Sequence, residues 1–244
     1  MNDTNATPPM LPTAQPIEPA QLPLGATPEE QAAIPGLVAA IEALLRQPRR
    51  VMYQLRQPGS GVLIGALLFA AFLCSLIYGV VVGTFSGGQQ LWAAPIKTAL
   101  GLFLSALICL PSLYIFSCLN GSQARLSEVF GLVAGMLALM TVLLIGFAPV
   151  AWVFSQSTDS VAAMGAFHLV FWFVATYFGL RFLDHGFARL SGQSGGGLKV
   201  WAIIFLLVAL QMTTALRPLV GKADTFLPTE KRFFISHWSD CLKK

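Results

Sequence analysis

No charged residue occurs between Gln57 and Ile96, and four further apolar runs follow that are nearly as clean. A surface helix of a water-soluble globule needs a polar face, so these runs belong in lipid or in a very large core. A bilayer-spanning helix takes about 20 mostly apolar residues. Five segments meet or approach that length: 61–84, 95–119, 129–154, 160–180 and 200–216. Only 11% of the 244 residues are charged, less than half the share of about 25% in soluble domains. Residues 61–216 hold Lys97, Arg125, Glu128, Asp159, Arg181, Asp184, Arg189 and Lys199 as their only charges. The expected fold is therefore all-α, a polytopic transmembrane helix bundle of five spans. A soluble globule, a fully disordered chain and a secreted disulfide scaffold are excluded.

The basic balance of +4 does not point to nucleic acid, because no basic stripe with interleaved aromatics exists. Lys and Arg lie instead at the ends of apolar runs, which is the pattern of membrane topology. With the N-terminus inside, the cytoplasmic side collects Arg46, Arg49, Arg50, Arg56, Arg125, Arg181, Arg189 and Lys199. The loops at 84–92 and 154–160 carry no Lys or Arg and fall outside. The C-terminal segment 217–244, with Arg217, Lys222, Lys231, Arg232, Lys243 and Lys244, opposes this count. The internal loops decide for N-in and C-out, with the first span serving as its own insertion signal. Trp92 and Trp152 then lie at the outer boundary and Trp201 at the inner one, as an aromatic belt requires. Trp172 is mid-span and outside the belt.

Ahead of the spans, residues 1–33 carry seven of the fifteen prolines and read as a disordered tail. Thr27-Pro28-Glu29-Glu30 has the form of a helix start, with Thr27 as cap and Glu30 in the capping-box position. Residues 34–60 follow as amphipathic helices interrupted at Pro35 and Pro48. Leu37, Ile41, Leu44 and Leu45 share one face, and Arg46, Arg49, Arg50 and Arg56 come next. That order fits two settings equally well: the headgroup region of anionic lipid, or packing against the protein itself.

Chemistry-bearing motifs are scarce. Gly192-Gln193-Ser194-Gly195 matches the GxSG string of rhomboid-type proteases, but no later span supplies a His. The same stretch up to Lys199 lacks the Ser/Thr and the strand of a phosphate loop. The four cysteines form no CxxC or His/Cys cluster, so neither a metal site nor a cofactor is expected. No Asp or Glu lies within the five spans as bounded above. Lys97 is near enough to a boundary to reach it by its stem, which leaves His168 as the one deep ionisable residue. Pro111 removes a helix hydrogen bond and should kink the second span. Ser112, Tyr114, Gln211, Thr213 and Thr214 are the polar groups positioned to line a seam with it. Arg181 and Asp184, three apart, are placed to pair. Gly61/Gly65, Gly79/Gly83 and Gly131/Gly135 are small-residue pairs that allow close helix approach, more within the bundle than between copies.

The polar Pro-rich N-tail, the Gln47-Pro48-Arg49-Arg50 segment closing an amphipathic pre-helix, and five closely spaced spans resemble the Ypt-interacting-protein (Yip) family and its bacterial relatives. The segments LPSLYIFSCLNGS and LQMTTALRPLVG are similar to parts of uncharacterised bacterial inner-membrane proteins. The acidic, tyrosine-containing motif of the eukaryotic members is missing before the first span, so their trafficking role is not implied. The expectation is a non-catalytic inner-membrane protein whose partners are the lipid bilayer and other proteins of a complex, with no nucleic acid. A permease using the Pro111/Gln211 seam is the alternative. The aromatic segment 226–238 is expected to lie on the outer surface or to meet a partner.

Overall fold

In a computed structural model the described residues are 23–122, 124–158, 160–191 and 196–216, all helix or short connection. Three short helices precede five long ones: α1 (Pro28–Gln31), α2 (Gly36–Arg46), α3 (Pro48–Leu55), α4 (Gly61–Ser86), α5 (Gln90–Leu119), α6 (Leu126–Ser157), α7 (Val161–Ser191) and α8 (Gly196–Ala215). Helices α4 to α8 are each long and apolar enough to cross a membrane. The chain is an integral membrane protein.

Most of the long helices exceed the expected spans. The largest extension is α7, which runs about ten residues past Arg181 because Arg181-Phe-Leu-Asp-His contains no helix breaker. Phe182, Leu183 and Phe187 in that extension are buried. Arg181 and Asp184 form no ion pair, contrary to expectation; Arg181 is exposed and its carbonyl meets His185 Nδ1 at 2.6 Å. The break at Pro35 and the break at Gln47-Pro48 fall as the proline rules require.

Side by side the long helices run α7, α6, α4, α5, α8, with α5 also touching α6. Helix α6 is the most buried of the five. Of its most apolar 18-residue window 67% is buried, against 17% for α7 and 22% for α8. Its small residues allow this. Gly131 faces Leu55 and Ile64, and Gly135 lies under the Phe182 ring, where an added Cβ would stand 2.6 Å from Cε1. The α4–α5 contact is tighter still. A Cβ on Gly79 would sit 2.4 Å from the Pro95 Cα, and one on Gly83 would sit 2.7 Å from the Gln90 carbonyl oxygen. In a bilayer helices associate through such close backbone packing rather than through exclusion of water. Gly79 and Gly83 therefore serve packing within the chain. Gly61 and Gly65 meet nothing.

The N-terminal helices cap one end of this row, here called the proximal end. Ala40, Ala43 and Leu44 of α2, and Val51, Met52 and Leu55 of α3, are buried in the same cluster as Ile64, Leu67, Val129 and Leu132. Of the two settings the sequence left open, the structure shows packing on the protein. Residues 23–33, which the sequence places in the tail, form a turn and helix α1 instead. Thr27 makes no side-chain cap. Glu30 instead turns back to the Gly25 N–H at 2.6 Å and across to Arg49.

Candidate functional site

The expected seam around Pro111 and Gln211 does not assemble. Gly197 meets Asn120 and Gly101 meets Leu216, so α5 and α8 run antiparallel in a register that can be followed residue by residue. In that register Gln211 lies level with Ala106 and Pro111 with Leu206. About five residues, or roughly 7 Å of helix rise, separate the two. Pro111 is exposed on the outward face of α5, with Ser112 and Tyr114 half-buried. The Ser112 hydroxyl donates to its own helix at Cys109 O (2.8 Å), and Thr213 donates to Leu210 O (2.6 Å). Gln211 is half-buried, and the side chain of Thr214 lies outside the described residues.

The same habit holds through the bundle. Ser75, Thr84, Ser105, Ser117 and Thr141 all donate to carbonyls three or four residues back. Hydroxyls satisfied this way present no free donor to a passing solute. Where α5 is tied to α8 near Pro111, the tie is Trp201. It is fully buried, stacks on Phe205 with ring centroids 5.3 Å apart, and donates its indole N–H to Cys109 O at 2.9 Å. Trp201 is thus a packing residue and not part of an interfacial belt. Trp92 and Trp152 are exposed at the opposite, distal end.

A different polar layer crosses the distal half. His168 Nδ1 and the Tyr78 hydroxyl share a hydrogen bond of 2.8 Å, with the rings edge to face. This links α7 to α4. Tyr78 is 4% exposed and carried no signal in the sequence, since one tyrosine in an apolar run looks like any core aromatic. His168 Nε2 is buried without a partner. Lys97, expected to reach a boundary, is 1% exposed instead. Because Gly79 faces Pro95, the antiparallel course of α4 and α5 brings Lys97 to the level of Ile77 and Tyr78. It is also one turn from Gly101, which touches Leu216. Ala93, Ala94 and Ala99 on the same stretch of α5 are buried with Lys97. Tyr78, Lys97 and His168 thus occupy one level on three helices.

The four arginines expected at a membrane surface divide in two. Arg46 pairs with Glu42 one turn away at 3.5 Å, both largely exposed, and Arg56 is exposed. Arg49 and Arg50 are engaged by the chain. Arg49 binds Glu30 and the Pro23 carbonyl, while Arg50 donates to the carbonyls of Ala32 (3.0 Å) and Ala33 (2.7 Å). Gln54 adds donations to Gln31 O (3.0 Å) and Ala32 O (3.2 Å). Burial alone would raise the Glu30 carboxyl, but the Arg49 hydrogen bond, the Gly25 amide and the charges of Arg49 and Arg189 hold it below its ordinary value. Among the described residues no group of three His, Cys, Asp or Glu could hold a metal ion. The GxSG string at 192–195, the tail 1–22 and the segment 217–244 lie outside the described residues.

No protein-family model, curated protein or solved structure matches this chain.

Proposed function

We propose that this protein is a non-catalytic scaffold or subunit of a larger membrane assembly. In this reading it resides in a bacterial inner membrane, as the Yip-like layout implies, with the proximal end cytoplasmic and the C-terminus outside, as the Lys and Arg of the internal loops imply. The observation that carries it is the contrast within the row of helices. The most buried helix, α6, is packed with apolar side chains, and the Ser75, Ser105, Ser117 and Thr141 hydroxyls are bound to their own backbones. The flanking α7 and α8 each rest chiefly on a single neighbour and keep broad exposed faces, among them Val170, Phe173, Val174, Tyr177 and Phe178 on α7. A closed centre with open flanks suits assembly with other helices better than passage of a solute.

Native mass spectrometry after mild-detergent extraction tests this reading. The expected species is a complex heavier than the single chain, containing other proteins. A lone monomer that moves a solute after reconstitution would overturn it. The Tyr78–Lys97–His168 layer favours a second reading, a permease-type component, because ionisable residues inside a bilayer mark solute or proton paths when they line water. Under that reading Lys97→Met abolishes transport by reconstituted protein while leaving its assembly intact.

A further inference from the structure

The strip from Pro23 to Ala33 is held in an unusual way for a piece of a folded domain. Its contacts are chiefly through its backbone. Arg49, Arg50 and Gln54, on the outward face of α3, donate to the carbonyls of Pro23, Gln31, Ala32 and Ala33. Donors aimed at carbonyls grip any peptide of the right shape, and that is how peptide-binding surfaces gain affinity without reading sequence. Two side chains supply the specificity. Leu24 forms one wall of a hollow between α3, α6 and α7, whose other walls are Met52, Leu55, Arg56, Glu128, Leu132 and Gly186. Glu30, six residues on, meets Arg49 within the field of Arg189.

The strip itself contributes little to the core. Helix α1 is a single turn resting on α3, and Gln31, Ala32 and Ala33 are exposed up to the break at Pro35. The notch under it does not depend on it. Val51, Met52 and Leu55 on the inner face of α3 are anchored in the main cluster together with Val129 and Leu132 of α6. We propose that residues 23–33 are an internal ligand. They occupy a peptide-binding notch on the proximal end and are displaceable by an acidic, leucine-bearing segment of another protein. The complementarity is that of the strip: a leucine for the hollow, a carboxylate one short helix away for Arg49, and a backbone for Arg50 and Gln54. The inference does not depend on whether the bundle scaffolds or conducts.

The test uses the full chain in detergent and a fluorescent peptide of residues 20–34. In the double variant Leu24→Asp/Glu30→Lys the strip is expelled by desolvation and by repulsion from Arg49. Fluorescence anisotropy is expected to show the peptide binding this variant at least tenfold more tightly than the unmodified chain. Adding Arg49→Ala to the variant, or Glu30→Gln to the peptide, should remove that gain. Equal binding to both chains overturns the proposal. So does a variant that keeps its helical circular dichroism yet binds anionic vesicles and no peptide.

A second measurement needs no folded variant. Excess peptide should speed cleavage of the unmodified chain after Glu29 or Glu30 by a glutamyl endopeptidase, and the Glu30→Gln peptide should not. An unchanged cleavage rate with both peptides overturns displacement.

Discussion

At the scale of single residues, position along the sequence misled where the direction of a side chain decides. Trp201 reads as an interfacial residue in the sequence because it stands at the start of the expected span 200–216. The helix begins at Gly196 rather than Val200, which places Trp201 a turn inside and facing Cys109. Lys97 was read as a boundary residue by the same counting from Pro95, yet α5 begins at Gln90 and carries it two turns deep. Both differences arise from helices that begin earlier than the apolar runs, α5 just after Gly87-Gly88 and α8 at Gly196-Gly197. The Trp201 bond gives a direct check. Trp201→Phe keeps the stack on Phe205 and loses the donor to Cys109 O, a bond worth about 1 kcal/mol in a bilayer interior. Thermal unfolding in detergent should shift down modestly, and Trp201→Ala should shift it further. Equal midpoints for Trp201→Phe and the parent would show that the hydrogen bond adds nothing.

Among elements, the proximal cap α1–α3 is where charge and packing act together. The proline breaks and the apolar face of α2 were legible in the residues. The choice between lipid and protein was not, because an amphipathic face reads the same against either apolar surface. Gly25 shows how closely the strip is fitted. Its φ is +85°, and a Cβ would fall 2.3 Å from the Tyr53 ring, so only glycine fits there without rearrangement. The Glu30 carboxyl is held below its ordinary value of 4.5. A depressed carboxylate contributes stability that is full above the unfolded value and is lost as pH falls through the folded one. The cap should therefore stay closed at neutral pH and loosen only on acidification below about 4.5. Hydrogen exchange of the Gly25 amide reads this directly. Its protection, corrected for the intrinsic pH dependence of exchange, should fall in that acidic range, and Glu30→Gln should lower it at neutral pH as well. Protection that is constant down to strong acid would contradict the assignment.

For the whole molecule, the five-helix outline was readable because membrane insertion leaves a signal along the chain: length, hydropathy and the near-absence of charge. The lateral order was not, since α4 packs on both α5 and α6 and nothing in the residues ranks those faces. The seam proposed from Pro111 and Gln211 failed for this reason. Polar residues on two helices meet only when register and rotation agree, and here they differ by about five residues, roughly 7 Å of helix rise. The layer at Tyr78, Lys97 and His168 depends on the same unreadable register. Topology remains open to a simple experiment. With the proximal end inside, a membrane-impermeant thiol reagent should label Cys241 on intact cells and leave Cys118, exposed at the proximal end of α5, untouched until lysis. Labelling of Cys118 before lysis, or of neither, would reverse or refute that orientation.

Because α6 lies beside α4 while α5 intervenes in the chain, a newly made helix does not always dock on the one made just before it. The α4–α5 hairpin, closed by Gly79 and Gly83, can form as soon as residue 119 has emerged. Its other flank then stays bare until α6 is made and swings across to the far side of α4. Helix α8 arrives last and joins the opposite edge. A nascent chain stalled between residues 119 and 126 would expose the Leu63, Leu67, Ala71 and Tyr78 side of α4 to lipid and to insertion chaperones. The glycines of α6 that later admit Leu55, Ile64 and Phe182 would thus govern how long that exposed intermediate lasts. Bulky replacements at Gly131 or Gly135 should be noticed first by membrane quality control, as lower abundance, rather than by any assay of the finished protein.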